Sequence, residues 1–405
     1  MKILVLTSIY PSPDIEIANN TNVVHYFALE WIKQGHEVLV IHNYPIYLRI
    51  FHLIGSCAKK LIASKFNTSV TSHYISKSKE FIMDGVDVVR MPLFKPFPHG
   101  KVPRKSLSKQ IETIKDYCLR RGFIPDYITS HNFYPHLEMV NQLKRDSFPN
   151  ARTCVVVHKQ NLNMLNFVDD YHKEINLVDI WGYRSLSLKR EFESFTGLNP
   201  NHFMCYSGIP TQFLQTQKLF SPKQPISNFI YVGSFIRRKY PEKLLHAIKK
   251  AKISDFRLTY VGDGENKNLI QNIIKSYGWQ DNVTLCGYVQ RNQVPDLLAK
   301  SQCFIMISEG ESFGLVYLEA MAIGLIVIAS KNEGMEGIIE DGVNGFLCKA
   351  GDDNELASIL IKIRSLSDKQ LHSISDKARK KAQEMTDSNV AKNYANALMK
   401  TSEPK

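Results

Sequence analysis

Apolar positions along this chain follow two alternating rhythms. The first is the unbroken run, as in Lys2–Ser8 and Glu37–His42, the pattern of a strand buried on both faces. The second is helical spacing: between Asn22 and Gln34, Val23, Val24, Phe27, Ala28 and Trp31 share one face before Gly35 ends the segment. Further runs at Tyr127–Ser130, Arg152–Val157 and His202–Tyr206 predict more strands. Strands alternating with helices predict a parallel sheet covered by helices.

Gln215–Ser227, with Pro222, Pro225 and no clear period, reads as a linker. Beyond it the alternation resumes. Asn228–Val232, Arg257–Val261, Val283–Leu285, Cys303–Ile307 and Leu325–Ala329 read as strands, with helices such as Lys243–Lys252 and Asn266–Tyr277 between them. This predicts two open α/β domains, 1–211 and 212–384, with 385–405 forming a terminal helix that packs back on the first. Two such domains present the carboxyl ends of their sheets across a crevice, where ligands bind. A length of 405 residues fits two domains.

Composition narrows the class. No apolar run reaches the roughly 18 residues needed to span a bilayer, and Met1–Leu6 reads as a first buried strand rather than a leader. Seven cysteines without C-x-x-C spacing give neither a disulfide framework nor a zinc site, which suits a cytoplasmic protein. The net charge is +12, and fifteen Lys and Arg against five acids lie between Arg49 and Arg121. That stretch suits an anionic surface and equally suits a solvated basic face. Ile46–Ile54 is apolar, too short to span, and followed by Lys59, Lys60 and Lys65. This is the pattern of a helix lying in a membrane interface, and also of one packed on its own domain.

The candidate chemistry clusters after two strands. In Ser308–Ala322 a Gly-rich turn opens an apolar helix whose start offers backbone N–H groups to a diphosphate. Glu311 lies before the helix and Glu319 inside it, one placed for a reacting sugar and the other for ribose hydroxyls. The same spacing fits two surface acids flanking a buried helix. In Tyr231–Lys239 a strand ends at Gly233, and Arg238 and Lys239 follow, able to neutralise two phosphates or simply to face water. His158 closes the apolar strand Val155–Val157, and His131 and His136 read as crevice lining or packing. Gly262-Asp263-Gly264 is a tight turn and not a dinucleotide fingerprint, because Lys267 stands where the third Gly belongs. There is no convincing D-x-D pair, so no metal and no cofactor is expected.

Together these residues resemble the retaining glycosyltransferases of family 4 (glycosyltransferase group 1), which have the GT-B fold of two Rossmann-like domains. Glu311 to Glu319 matches Glu-x7-Glu within the wider pattern E-(S/G)-F-G-x4-E-A-M-A-x-G, complete here through Gly324. Val261–Gly264, Leu285–Val289 and Ile338–Gly345 are similar to further family segments. The resemblance covers nearly the whole second domain. In the first it is thinner, resting on Gly35–Val38, Pro125-Asp126 and His158.

The resemblance implies a retaining transfer from a nucleotide sugar, UDP-linked, to a glycan acceptor, lipid-linked, for surface polysaccharide. It assigns Glu311 and His158 to the reacting sugar, Glu319 to the ribose, and Arg238 and Lys239 to the diphosphate. Ser234, Val289, Ser312, Phe313, Gly314 and Leu315 complete the donor side, and Asn19, Asn20 and Thr21 form the loop near acceptor and phosphate. The first domain would hold the acceptor and the second the donor. An anionic membrane surface on the cytoplasmic side is an expected partner, and nucleic acid is not. The chain departs from the family at Ala18–Thr21, where a Gly pair is usual, at Ser234, where Arg is common, and at Glu333-Gly334, where another Gly pair is usual. A nucleotide-sugar 2-epimerase of the same fold and a non-catalytic basic adaptor are the competing readings.

Overall fold

The computed structural model describes residues 1–15, 21–49, 74–98, 100–214 and 223–400. Two compact units emerge. The first comprises Met1–Arg184, Lys189–Cys205 and the terminal segment from Val390; the second comprises Ser185–Leu188 and Tyr206–Asn389.

The first unit is built on eight strands: β1 (Lys2–Thr7), β2 (Glu37–Ile46), β3 (Lys79–Met83), β4 (Val86–Phe94), β5 (Tyr127–His131), β6 (Arg152–Val157), β7 (Ile180–Tyr183) and β8 (His202–Met204). Their order across the sheet is β3-β4-β2-β1-β5-β6-β7-β8. All neighbours are parallel except β3 and β4. From the second residue on, every residue of β1 and of β6 is buried, as continuous apolar runs require.

Strands β3 and β4 are additions to the sequence reading. Asp84 and Gly85 both have positive φ, 49° and 86°, so Asp-Gly makes the tight hairpin turn between them. That dipeptide between Phe81-Ile82 and Val86-Asp87-Val88 was the available signal. Strand β7 is short and carries Gly182, where a Cβ would meet Val156 at 3.0 Å and Phe203 at 3.1 Å, so close packing with its neighbours hides it from a propensity reading.

The terminal helix Asp387–Met399 lies mostly in this unit. Tyr394 packs edge-on against Trp31 (4.9 Å between ring centroids) and Phe27 (5.3 Å), and its hydroxyl meets that of Thr129. The Trp31 indole donates to the Ala391 carbonyl at 3.0 Å.

Half of the described Lys and Arg of the basic stretch are in ion pairs. Arg90 is buried and donates to both oxygens of Asp14, at 2.8 and 3.1 Å, and Lys79 reaches the same carboxylate at 2.7 Å. Arg104 pairs with Glu138 and Asp169. Asp14, Glu138 and Asp169 all lie outside the stretch in sequence, so its excess charge is partly offset in space. Lys59, Lys60, Lys65 and residues 50–62 of the interfacial segment fall outside the described residues.

The second unit carries β9 (Asn228–Val232), β10 (Arg257–Val261), β11 (Val283–Leu285), β12 (Cys303–Ile305), β13 (Ile326–Ser330) and β14 (Phe346–Cys348). The order is β11-β10-β9-β12-β13-β14, all parallel. The chain winds outward from β9 in one direction and from β12 in the other, so the topological switch lies between them, where open α/β sheets bind ligands. The helix after β9 begins at Pro241, ahead of the expected Lys243, because Pro is well suited to a helix's first position. Residues 215–222 of the expected linker are not described, and Pro225 follows a cis peptide bond. Among the described residues no helix is long and apolar enough to cross a membrane.

Candidate functional site

The site of the second unit is assembled at the carboxyl ends of β9 and β12. After β9 the chain passes Gly233 and turns through Arg237–Lys239 as a short 3-10 element. After β12 it runs through Met306–Gly314 into the helix Leu315–Ile323. The two loops are stitched together. Glu309 N–H donates to the Arg238 carbonyl at 2.7 Å, Arg238 Nη1 donates back to the Glu309 carbonyl at 3.3 Å, and the Tyr240 hydroxyl donates to Glu309 Oε2 at 2.6 Å.

Glycines permit this closeness. Gly314 caps the helix at φ 88°, and a Cβ there would lie 2.5 Å from the Tyr317 ring. Tyr317 is buried beneath the loop and donates to the Met306 carbonyl at 2.7 Å. No side chain caps this helix, so its N-terminal end keeps the positive partial charge that favours an anion.

Glu311 lies between the two cations. Its Oε2 is 3.5 Å from Lys239 Nζ and 3.7 Å from Arg238 Nη1. That oxygen is buried and accepts no hydrogen bond among the described residues. A buried carboxylate oxygen with charge partners but no donor is a costly arrangement for the chain alone. It is well placed to accept from hydroxyl groups of a bound molecule whose phosphates meet the same cations. The Glu311 N–H donates to Glu333 Oε2 at 2.9 Å, which orients the loop. Beside Glu333, Gly334 lets the Phe313 backbone approach; a Cβ there would lie 2.5 Å from Phe313 N.

Glu319 points from the buried face of the helix and is 4% exposed. Arg291, in the turn after β11, donates to its Oε1 from Nη2 at 2.7 Å and from Nε at 3.3 Å. Arg291 was not singled out by sequence reasoning. The available signal was its place two residues beyond Val289, in the segment already matched to the family. Val289 is half-buried on that loop, as is Ser312 beside Glu311. Phe313 is buried against Tyr206, with ring centroids 5.8 Å apart. Ser234 offers its carbonyl to the Tyr231 hydroxyl at 3.2 Å.

The structure therefore brings Arg238, Lys239, Glu311, Ser312, Phe313, Gly314 and Leu315 onto two joined loops, with Glu319 one turn deeper. His158 belongs to the first unit, at the end of β6. Its Nε2 meets His131 Nδ1 at 2.9 Å, and His131 is stacked on Phe27. Burial, then the charge of Arg184, pushes His131 down to about 3. Burial, His131 and Arg184 hold His158 well below the ordinary histidine value. His158 is thus a neutral ring with one donor and one acceptor nitrogen at neutral pH. His136 is fully buried packing beside Asn132, not lining. Thr21 Oγ1 accepts from Val23 N–H at 3.3 Å at the start of the first helix. Asn19 and Asn20 lie outside the described residues.

Residues 214–381 match the family described as glycosyl transferases group 1. N-acetyl-alpha-D-glucosaminyl L-malate synthase of Bacillus anthracis is 32% identical over 172 residues, which is 42% of this chain and 44% of that protein. A lipopolysaccharide core biosynthesis glycosyltransferase of Rhizobium meliloti is 29% identical over 132 residues, covering 33% of this chain and 38% of that protein. The chain thus spans less than half the length of these curated relatives. Among solved structures, sucrose-phosphate synthase from Thermosynechococcus elongatus superposes with TM-score 0.65 at 18% identity, covering 98% of each chain. Anabaena Alr3699/HepE in complex with UDP and glucose superposes with TM-score 0.61 at 17% identity, covering 98% of this chain and 99% of that one. The fold is the GT-B type, with two Rossmann-like units.

Proposed function

We propose that this chain, whose residues 214–381 match the glycosyl transferases group 1, moves a sugar from a nucleotide-sugar donor to a glycan acceptor with retention of configuration. The observation that carries this reading is the buried, donorless Oε2 of Glu311 held between Lys239 and Arg238 at the β9/β12 switch point. The cations take the diphosphate, assisted by the uncapped helix end. Glu311 accepts from hydroxyls of the sugar, and Glu319 from those of the ribose. Charge developing on the leaving diphosphate is stabilised by groups already in place, so little reorganisation accompanies reaction.

UDP is the proposed nucleotide, in line with the ligand of the Anabaena neighbour. A lipid-linked acceptor for surface polysaccharide, handled at the cytoplasmic face of an anionic membrane, fits the lipopolysaccharide relative and the apolar-then-basic segment from Ile46. Liposome flotation tests the membrane part: binding to anionic vesicles that fades in high salt is expected, and absence of binding at low salt overturns it. No group of three His, Cys, Asp or Glu side chains among the described residues is placed to hold a metal ion. The proposal has Arg238, Lys239 and the helix end neutralise the diphosphate instead.

A panel of nucleotide sugars offered to the purified protein tests the function. Slow release of free sugar in the donor's anomeric configuration is the expected result. An epimerised donor would replace the reading with a 2-epimerase, and no turnover or binding of any nucleotide sugar would overturn it.

A further inference from the structure

Glu319 sits on the most apolar helix of the second unit, flanked by buried Tyr317, Leu318, Ala320 and Met321. A carboxylate in such a place needs a partner and a fixed direction. Arg291 supplies both, and it does so asymmetrically. Nη2 and Nε both donate to Oε1, at 2.7 and 3.3 Å. Oε2 receives no hydrogen bond among the described residues. The guanidinium is 42% exposed while the Glu319 side chain is 5% exposed, so Arg291 closes over the carboxylate from the solvent side.

We propose that Arg291 is a positioning residue for nucleotide recognition: it clamps Oε1 of Glu319 so that Oε2 alone is presented to the ribose hydroxyls. This rests on the nucleotide-sugar reading above. A rigid side chain with one oxygen occupied can discriminate a vicinal diol from a sugar that lacks it. The same side chain without its clamp can rotate, or take up water, and loses that discrimination. Arg suits this role better than Lys because two N–H groups in a fixed fork can converge on one oxygen and set the carboxylate plane. The short turn Arg291–Gln293, which follows β11 in the chain, carries the fork.

The experiment compares binding of UDP and 2′,3′-dideoxy-UDP by calorimetry to wild type, Arg291→Ala and Arg291→Lys. Hydrogen bonds to a charged acceptor discriminate by roughly 10- to 100-fold. Wild type should prefer UDP by about that factor. Arg291→Ala should bring the two ligands to within about threefold of each other, by weakening UDP while leaving dideoxy-UDP nearly unchanged, and Arg291→Lys should recover part of the preference. Thermal melting of the free variants, with dideoxy-UDP binding retained, shows that the fold survives; if Arg291→Ala melts early, Arg291→Gln, which keeps a donor and the stem, takes its place. Full preference in a folded Ala or Gln variant overturns the clamp. Equal weakening of both ligands assigns Arg291 to general packing and overturns it too. Wild type that binds no nucleoside diphosphate of any base would instead overturn the nucleotide-sugar reading itself.

Discussion

Lys239 and Glu311 stand 3.5 Å apart, beyond hydrogen-bond reach, and each keeps capacity for a ligand. Lys239→Ala removes a charge-assisted phosphate contact worth about 1.5–3 kcal/mol, so the nucleoside diphosphate should bind roughly 10- to 100-fold more weakly while circular dichroism stays unchanged. Glu319→Gln should weaken the same ligand by a similar factor, and unaltered affinity in both variants would sink the donor-site assignment. The buried histidines give a second prediction. Burial, with Arg90 nearby, pushes His42 down to about 3; burial takes His131 to about 3 and His136 to about 4. In the unfolded chain each titrates near 6.5, so between those values the unfolded state binds more protons. Their contribution to stability is therefore intact above pH 6.5 and is lost as pH falls from there, to about 4 for His136 and about 3 for His42 and His131. Each costs on the order of 1 kcal/mol per pH unit. Urea denaturation at pH 7.5 and 5.5 should show the loss, and with His158 also held low by burial, His131→Gln should flatten the slope by about a quarter. Glu311 and Glu319 were legible in the sequence because the motif around them is local. Arg291 was not, because its partner is reached only when β11 and the helix come together.

Among elements, the loops at the β9/β12 switch depend on backbone that side chains cannot share. Gly262, at the end of β10, has φ 142°, and a Cβ there would lie 2.0 Å from the Gly233 carbonyl oxygen. Gly262→Ala therefore forces the β9 loop and its cations out of place. A loss of more than about 3 kcal/mol in stability of the second unit is expected, combining backbone strain with the displaced carbonyl, and chemical denaturation followed by Trp279 fluorescence measures it. Strands buried on both faces were readable from their continuous apolar runs; Arg152–Val157, Asn228–Val232 and Arg257–Val261 stand where periodicity puts them. The β3–β4 ribbon was missed because its outer strand is mostly polar or exposed and carries no such run, leaving the Asp84-Gly85 turn as the sole cue. Strand β14 is three residues long and directly follows the turn-rich segment Ile338–Gly345, so it was not read as a strand.

At the scale of the molecule, two separate sheets were legible because the βα rhythm halts at the proline-containing segment and resumes. Each unit should answer differently to ligand: UDP at 100 times its Kd should raise the unfolding free energy of the second unit by about 2.7 kcal/mol, seen as a later protease-protected transition confined to its peptides. Turnover should persist in excess EDTA; complete loss, restored by Mg²⁺ or Mn²⁺, would show a metal role that the cationic loops do not fill. Tyr394→Ala should destabilise the first unit by about 3–5 kcal/mol, read from its hydrogen-exchange protection, because the ring fills a site lined by Trp31 and Phe27. That packing also orders events in time. The carbonyl that the Trp31 indole binds is made 360 residues after Trp31 itself. During synthesis the first sheet must wait, one helix short of its cover, until the second unit has been made. A nascent chain stalled before Val390 would therefore expose Trp31 and Phe27 to chaperones, and emergence of the helix Asp387–Met399 is the event that seals a sheet translated well before it.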